Sequence, residues 1–254
     1  MVIPGTVNFF AEGGILYAFN ESTLPGKLVI LALLFASLLS WSVIVTKLSE
    51  IRLAKRQTHR FLLKFRSSRK PLQVFLSRES FAGSPAYAVY VAGCRELCFH
   101  LLGSSELDET SAARLAEAER ISAAALAHVE SALEREVGEQ ALKLERGMIV
   151  LATAVSGGPF LGLLGTVWGV MDTFTGIATA GKASLAAMAP GVSGALITTV
   201  TGLLVAIPAM FGYNYLVVTL RGLTVGVDTF ASELATAFAH RYGVGAESGG
   251  RTKV

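Results

Sequence analysis

The chain has 254 residues, of which 52% are hydrophobic and only 16% charged, a balance too apolar for an ordinary soluble domain of that length. The apolar residues gather in three windows, 28–46, 148–180 and 189–220, so composition points to an all-helical membrane protein with three spans. The formal net charge of +3 hides a strong local asymmetry.

In chain order, residues 1–26 form an N-terminal segment without the basic start and cleavage site of a removable signal peptide, so the first span is expected to be a retained signal. Within it, residues 8–19, NFFAEGGILYAF, read either as a short helix at a membrane surface or as a ragged start to the first span. That span is placed at 27–46, with no charged side chain from Leu28 to Thr46. Lys47, Arg52, Lys55, Arg56, Arg60, Lys64, Arg66, Arg69 and Lys70 follow it, opposed only by Glu50. Basic residues next to a span stay on the cytoplasmic side, which predicts an N-terminus outside and a C-terminus inside.

Residues 47–146 are expected to be a large cytoplasmic helical region. Pro71 and the Gly83-Ser84-Pro85 turn divide its first part into helices near 47–68, 71–78 and 86–102. Residues 110–146, rich in Ala, Glu, Arg and Leu, predict one long helix that runs unbroken into the second span. Cys94 and Cys98 are four residues apart with no histidine beside them, which favours packing over metal binding. His59, His100, His128 and His240 are scattered, and neither a zinc site nor a catalytic pair is expected. No cofactor or nucleic-acid partner is expected.

The second span is placed at 147–180, a periplasmic loop at 181–188, the third span at 189–221, and a cytoplasmic C-terminal helix and tail at 222–254. Val227, Phe230, Leu234, Ala237 and Phe238 recur at helical spacing in that last helix, which predicts packing on the other cytoplasmic helices. In the second span Gly158, Gly162, Thr166, Gly169 and Thr173 share one face; in the third Gly191, Ala195, Thr199, Gly202, Ala206 and Ala209 do. Small residues let helices approach closely, so these faces are expected to meet protein: each other, another subunit or a guest helix. Pro159 and Pro208 lie within the spans and are kink positions.

Asp172 is the sole ionisable residue of the second window. Such a carboxylate is a functional candidate, but its place near the outer end predicts a solvated or interfacial position. Residues 189–220 carry no acidic or basic side chain, so a titratable group at mid-membrane must come from another chain. The hydroxyls of Thr166 and Thr199 are suited to exchange hydrogen bonds with such a carboxyl, the alternative being a bond back to their own helix. No phosphate loop, dinucleotide fingerprint, nucleophile elbow or zinc-protease motif occurs, and no enzyme chemistry is expected.

The second-span run from Ser156 to Met171, SGGPFLGLLGTVWGVM, closely resembles the signature of the TolQ/ExbB/MotA proton-channel family. The third span, APGVSGALITTVTGLLVAIPA from Ala189 to Ala209, then Tyr213-Asn214, follows the same family's APG, ALI-x-T and AIPA pattern. Lys27, Ser40-Trp41 and His240-Arg241 look more like the TolQ branch than the ExbB branch. The resemblance implies a homopentamer of helical subunits in the bacterial inner membrane, with long helices extending into the cytoplasm. It implies a TolR/ExbD-like single-span partner carrying a mid-membrane aspartate, and a TolA/TonB-like periplasm-spanning protein beyond it. Thr166 and Thr199 match the family's two proton-path threonines. Pro159, Gly162, Gly169, Thr173, Ala195, Gly202 and Ala206 would shape the partner-helix cavity, with Asp172 and Thr198 as auxiliary polar groups. The chain departs from the family at Gly194, where the third span usually carries glutamate. The rival reading is a non-conducting structural scaffold.

Overall fold

The computed structural model describes residues 19, 23–68, 70–103, 120–182 and 184–243. Among these it is all-helical: α1 (Leu24–Ser67), α2 (Gln73–Leu76), α3 (Pro85–Leu102), α4 (Ala123–Glu145), α5 (Met148–Ala180) and α6 (Leu185–Tyr242). The surface-helix reading of 8–19, the start of the helix expected from 110 and the tail beyond 243 lie outside the described residues, apart from Phe19. Among the described residues three helices, α1, α5 and α6, are long and apolar enough to cross a membrane.

The chain divides into two compact units, one of residues 1–46 and 147–215, the other of 47–146 and 216–254. In the first, α1 buries a single stripe, Ile30, Leu33, Ser40 and Ile44, at steps of three, seven and four residues that keep one helix face. Its remaining faces stay apolar and open, with Phe35 64% and Leu38 72% exposed. Such a surface suits lipid tails, where a helix satisfies its own backbone groups. Helices α5 and α6 likewise leave Phe160, Leu163, Phe174, Leu196, Leu204 and Phe211 exposed while burying their small residues.

The second unit has an ordinary close-packed core. Phe61 and Phe65 of α1 flank Phe230 of α6, with ring centroids 5.4 and 5.3 Å apart, and Phe61 also meets Tyr90 of α3 at 5.2 Å. Val89, Leu97, Leu133, Leu234 and Phe238 complete this cluster. Tyr90 is buried but satisfied: its hydroxyl donates to the Pro71 carbonyl at 2.7 Å and accepts from the Phe75 amide at 2.9 Å. That pair of bonds ties down the turn that Pro71 begins. Ser84 caps α3 by accepting from the Tyr87 amide at 3.1 Å, with Pro85 in the first turn, where its missing N–H costs nothing.

The unbroken rod expected from α4 into the second span is not formed. Helix α4 ends at Glu145, and Gly147 takes φ 85° before α5 starts at Met148. Arg146 before it is already extended at ψ 130°, and the left-handed conformation of Gly147 is open to glycine at no steric cost, so these two residues stop the helix without proline or a turn cluster. His100 and His128, scattered in sequence, stack with ring centroids 5.7 Å apart.

Cys94 and Cys98 are both buried in this core. Burial pushes the Cys94 thiol well above its ordinary range and the Cys98 thiol up to about 11, because a thiolate is poorly solvated there. Thiolate forms only as pH approaches the raised value, so at pH 8 roughly one Cys98 in a thousand is ionised. In native membranes at pH 8 both cysteines should resist maleimide labelling that goes to completion after denaturation; rapid native labelling would contradict this core.

Candidate functional site

Helices α5 and α6 meet along their glycines. A methyl group built on Gly162 would lie 3.0 Å from the Thr199 Cα, one on Gly169 2.8 Å from the Ala195 Cβ, and one on Gly202 2.6 Å from the Gly158 carbonyl oxygen. The pairing runs antiparallel: Gly158 against Gly202 and Ala206, Gly162 against Thr198 and Thr199, Gly169 against Ala195 and Gly191. Backbones this close gain dispersion contacts that lipid cannot supply.

Of the residues expected to shape a partner cavity, Gly162, Gly169, Thr173, Ala195, Gly202 and Ala206 are therefore buried, Gly162 and Gly169 directly against the other span of the same chain. Pro159 sits inside α5 and is half-buried. The buried line on α5 is Gly158, Gly162, Gly165, Gly169 and Thr173, so Gly165 occupies the place that spacing alone assigned to Thr166. On α6 the fully buried threonine is Thr198, and Thr199 is half-buried beside it. Both choices keep three- and four-residue spacing, so periodicity had no means of telling them apart.

The displaced threonines share a feature. At about 100° per residue, Thr166 and Thr199 fall on the same edge of the antiparallel pair, next to the closed seam. The Thr166 hydroxyl donates to the Leu163 carbonyl at 2.7 Å, and the Thr199 hydroxyl crosses to the Gly162 carbonyl at 3.2 Å. The two hydroxyls thus rest on the carbonyls of consecutive residues, Gly162 and Leu163. Thr198 Oγ1 bonds the Ala195 carbonyl at 2.6 Å, with the Gly162 carbonyl at 3.3 Å, and has no open side.

The opposite edge is different. Gly194, Gly165, Gly169, Pro190 and Gly191 line a small cleft with Thr23 and Gly26 at the start of α1. Asp172 lies on this side of α5 by the same helical angle. It is half-buried, and its Oδ2 is buried with no hydrogen-bond partner among the described residues. Thr173 turns its hydroxyl back to the Gly169 carbonyl at 2.8 Å.

A glycine-sealed helix pair with lipid-facing leucines and one hydroxyl-bearing edge defines a multi-pass membrane protein whose spans are built for protein contact. The sequence profile of the MotA/TolQ/ExbB proton channel family matches residues 104–228. The chain is 33% identical over 224 residues to the Tol-Pal system protein TolQ of Pseudomonas aeruginosa, covering 87% of this chain and 90% of that protein. It is 30% identical over 239 residues to TolQ of Haemophilus influenzae, covering 92% and 97%. Against the biopolymer transport protein ExbB of Xanthomonas campestris it is 43% identical over 111 residues, 44% of each chain. The chain belongs to the MotA/TolQ/ExbB proton channel family.

The seam makes a direct stability prediction. Gly202→Ala forces a methyl onto backbone atoms that have no room to move and should lower stability in detergent by about 1–3 kcal/mol. Gly157→Ala, where a methyl meets nothing within 4 Å, should stay within about 0.5 kcal/mol. Equal unfolding midpoints for the two variants would show that the close approach is not real.

Proposed function

We propose that this protein is the channel-forming scaffold subunit of a proton-motive-force-driven motor in the bacterial inner membrane, with its N-terminus periplasmic and its C-terminus cytoplasmic. Five copies surround the helix of a TolR/ExbD-like single-span partner whose aspartate supplies the titratable group. Proton flow moves that partner, and force passes to a TolA/TonB-like protein in the periplasm. Family membership supports this reading, and the placement of Thr166 and Thr199 on one open edge of the α5/α6 pair carries it into chemistry.

Both hydroxyls donate to backbone carbonyls in the resting chain, which leaves oxygen lone pairs available on the open edge. A protonated carboxyl from the partner can donate to them directly. A carboxylate needs the hydroxyl hydrogens, so each threonine must swing away from its carbonyl to hold the charged form. Protonation of the partner therefore changes which bonds the edge makes, and the partner is released to move. The glycines of the closed seam, together with Ala195 and Ala206, set the spacing of the pair in this scheme, and Pro159 shapes its α5 side. Thr198 is fixed inside the seam.

The absence of any acidic or basic side chain in residues 189–220, with Gly194 inside them, favours a second reading, a non-conducting scaffold that only holds its partner. Reconstitution separates the two. With the partner present, the wild-type chain should support proton flux. Thr199→Val should cut it by about tenfold or more, the scale of one hydrogen bond to a charged group, and Thr199→Ser should restore it. Unchanged flux in Thr199→Val would remove this edge from the mechanism. A stable complex with no wild-type flux would establish the scaffold reading.

A further inference from the structure

The second unit carries two exposed surfaces of opposite charge. A groove between α4 and α6 has Glu130, Glu134 and Asp228 on its rim and Leu133, Ala231 and Ala235 on its floor. None of the three carboxylates makes an ion pair among the described residues. On α1, Arg56, Arg60 and Leu63 lie at i, i+4 and i+7 and so share one helix face. Both arginines are exposed and without an ion pair among the described residues. Leu63 is 60% exposed on this face.

The surfaces also match in height. Helices α1 and α6 run side by side here, with Phe61 and Phe65 flanking Phe230 and Arg66 Nη2 2.9 Å from Glu233 Oε2. Leu63 is therefore level with residue 230, and Arg60 is close to the level of Asp228. Leu126, near the start of α4, lies against Gly243 at the end of α6, and further along α4 Glu130 and Glu134 share the groove with Asp228 and Ala231, so α4 runs antiparallel to α6 with Glu134 near the level of residue 230. Copies related by rotation about an axis along these helices meet at equal height, and a leucine between two arginines is the counterpart of an apolar floor between carboxylates.

We propose that Leu63 of one copy seats on the groove floor of the next copy, with Arg56 and Arg60 facing Glu130, Glu134 and Asp228. The contact is head-to-tail, using a different patch on each side, so it propagates round a ring. It rests on the multi-copy assembly proposed above and names the surfaces that close it.

The test uses the full-length chain with Leu63→Cys and Ser232→Cys together, oxidised in membranes, since the native cysteines are buried. Disulfide-linked species extending beyond dimers are expected, with neither single variant giving more than background. Arg60→Glu should lower the yield about fivefold, the upper range for an exposed ion pair, and adding Asp228→Arg should restore it. Native mass spectrometry on the same sample separates the failures. An oligomer without cross-links overturns this contact and leaves the assembly standing, whereas a monomer overturns both. Cross-links that stop at dimers overturn the head-to-tail geometry. If Arg60→Glu instead reduces flotation with anionic vesicles and leaves the cross-link unchanged, the basic face is a lipid contact and the proposal is wrong.

Discussion

Backbone-to-backbone approach between α5 and α6 is the constraint on which the membrane unit depends. Two apolar helices in lipid gain nothing by hiding leucine, because hydrocarbon tails pack on leucine equally well. What lipid cannot do is fill the shallow trough left by successive glycines. Gly158, Gly162, Gly165 and Gly169 make that trough on one helix, and Thr198, Gly202 and Ala206 enter it from the other. The distances are short because no side chain stands between the backbones, and one added carbon would hold them apart.

Close packing also decides what happens to the hydroxyls. A threonine in a membrane helix needs an acceptor, and the nearest is a carbonyl one turn back. Thr166, Thr173 and Thr198 take that course. Thr199 does not, because the seam brings the Gly162 carbonyl of the other helix within 3.2 Å. Gly162 thus does two jobs: its missing side chain admits α6, and its carbonyl holds a hydroxyl at the edge of the seam. The two edges differ accordingly, one bearing threonine hydroxyls and the other a cleft between Gly194 and the start of α1.

The second unit is held by a different interaction. There the exposed leucines and phenylalanines of the spans give way to an aromatic cluster around Phe61, Tyr90 and Phe230, which is stabilised by removal from water. Helices α1 and α6 each contribute residues to both units, so their sequences change character along their length. Open apolar faces are succeeded by charged faces with a single buried stripe.

Three spans, helical architecture and family were legible in the residues, because hydrophobic length, basic flanks and the glycine-proline signatures are local properties of the chain. Val227, Phe230, Leu234 and Phe238 were legible as a buried stripe for the same reason, while Ala237, expected in it, is only half-buried. The choice of Thr198 over Thr199 for the seam, and of Gly165 over Thr166, was not, since neighbours one residue apart satisfy the same helical period. The break between α4 and α5 at Arg146 and Gly147 was equally hidden, because a single glycine is compatible with either helix or turn until tertiary packing selects its φ. The buried oxygen of Asp172 follows from what surrounds α5, not from its distance along the span. Residue order determines which faces exist; only packing decides which of them are closed, because closure depends on the distance between two backbones that the chain places far apart in sequence.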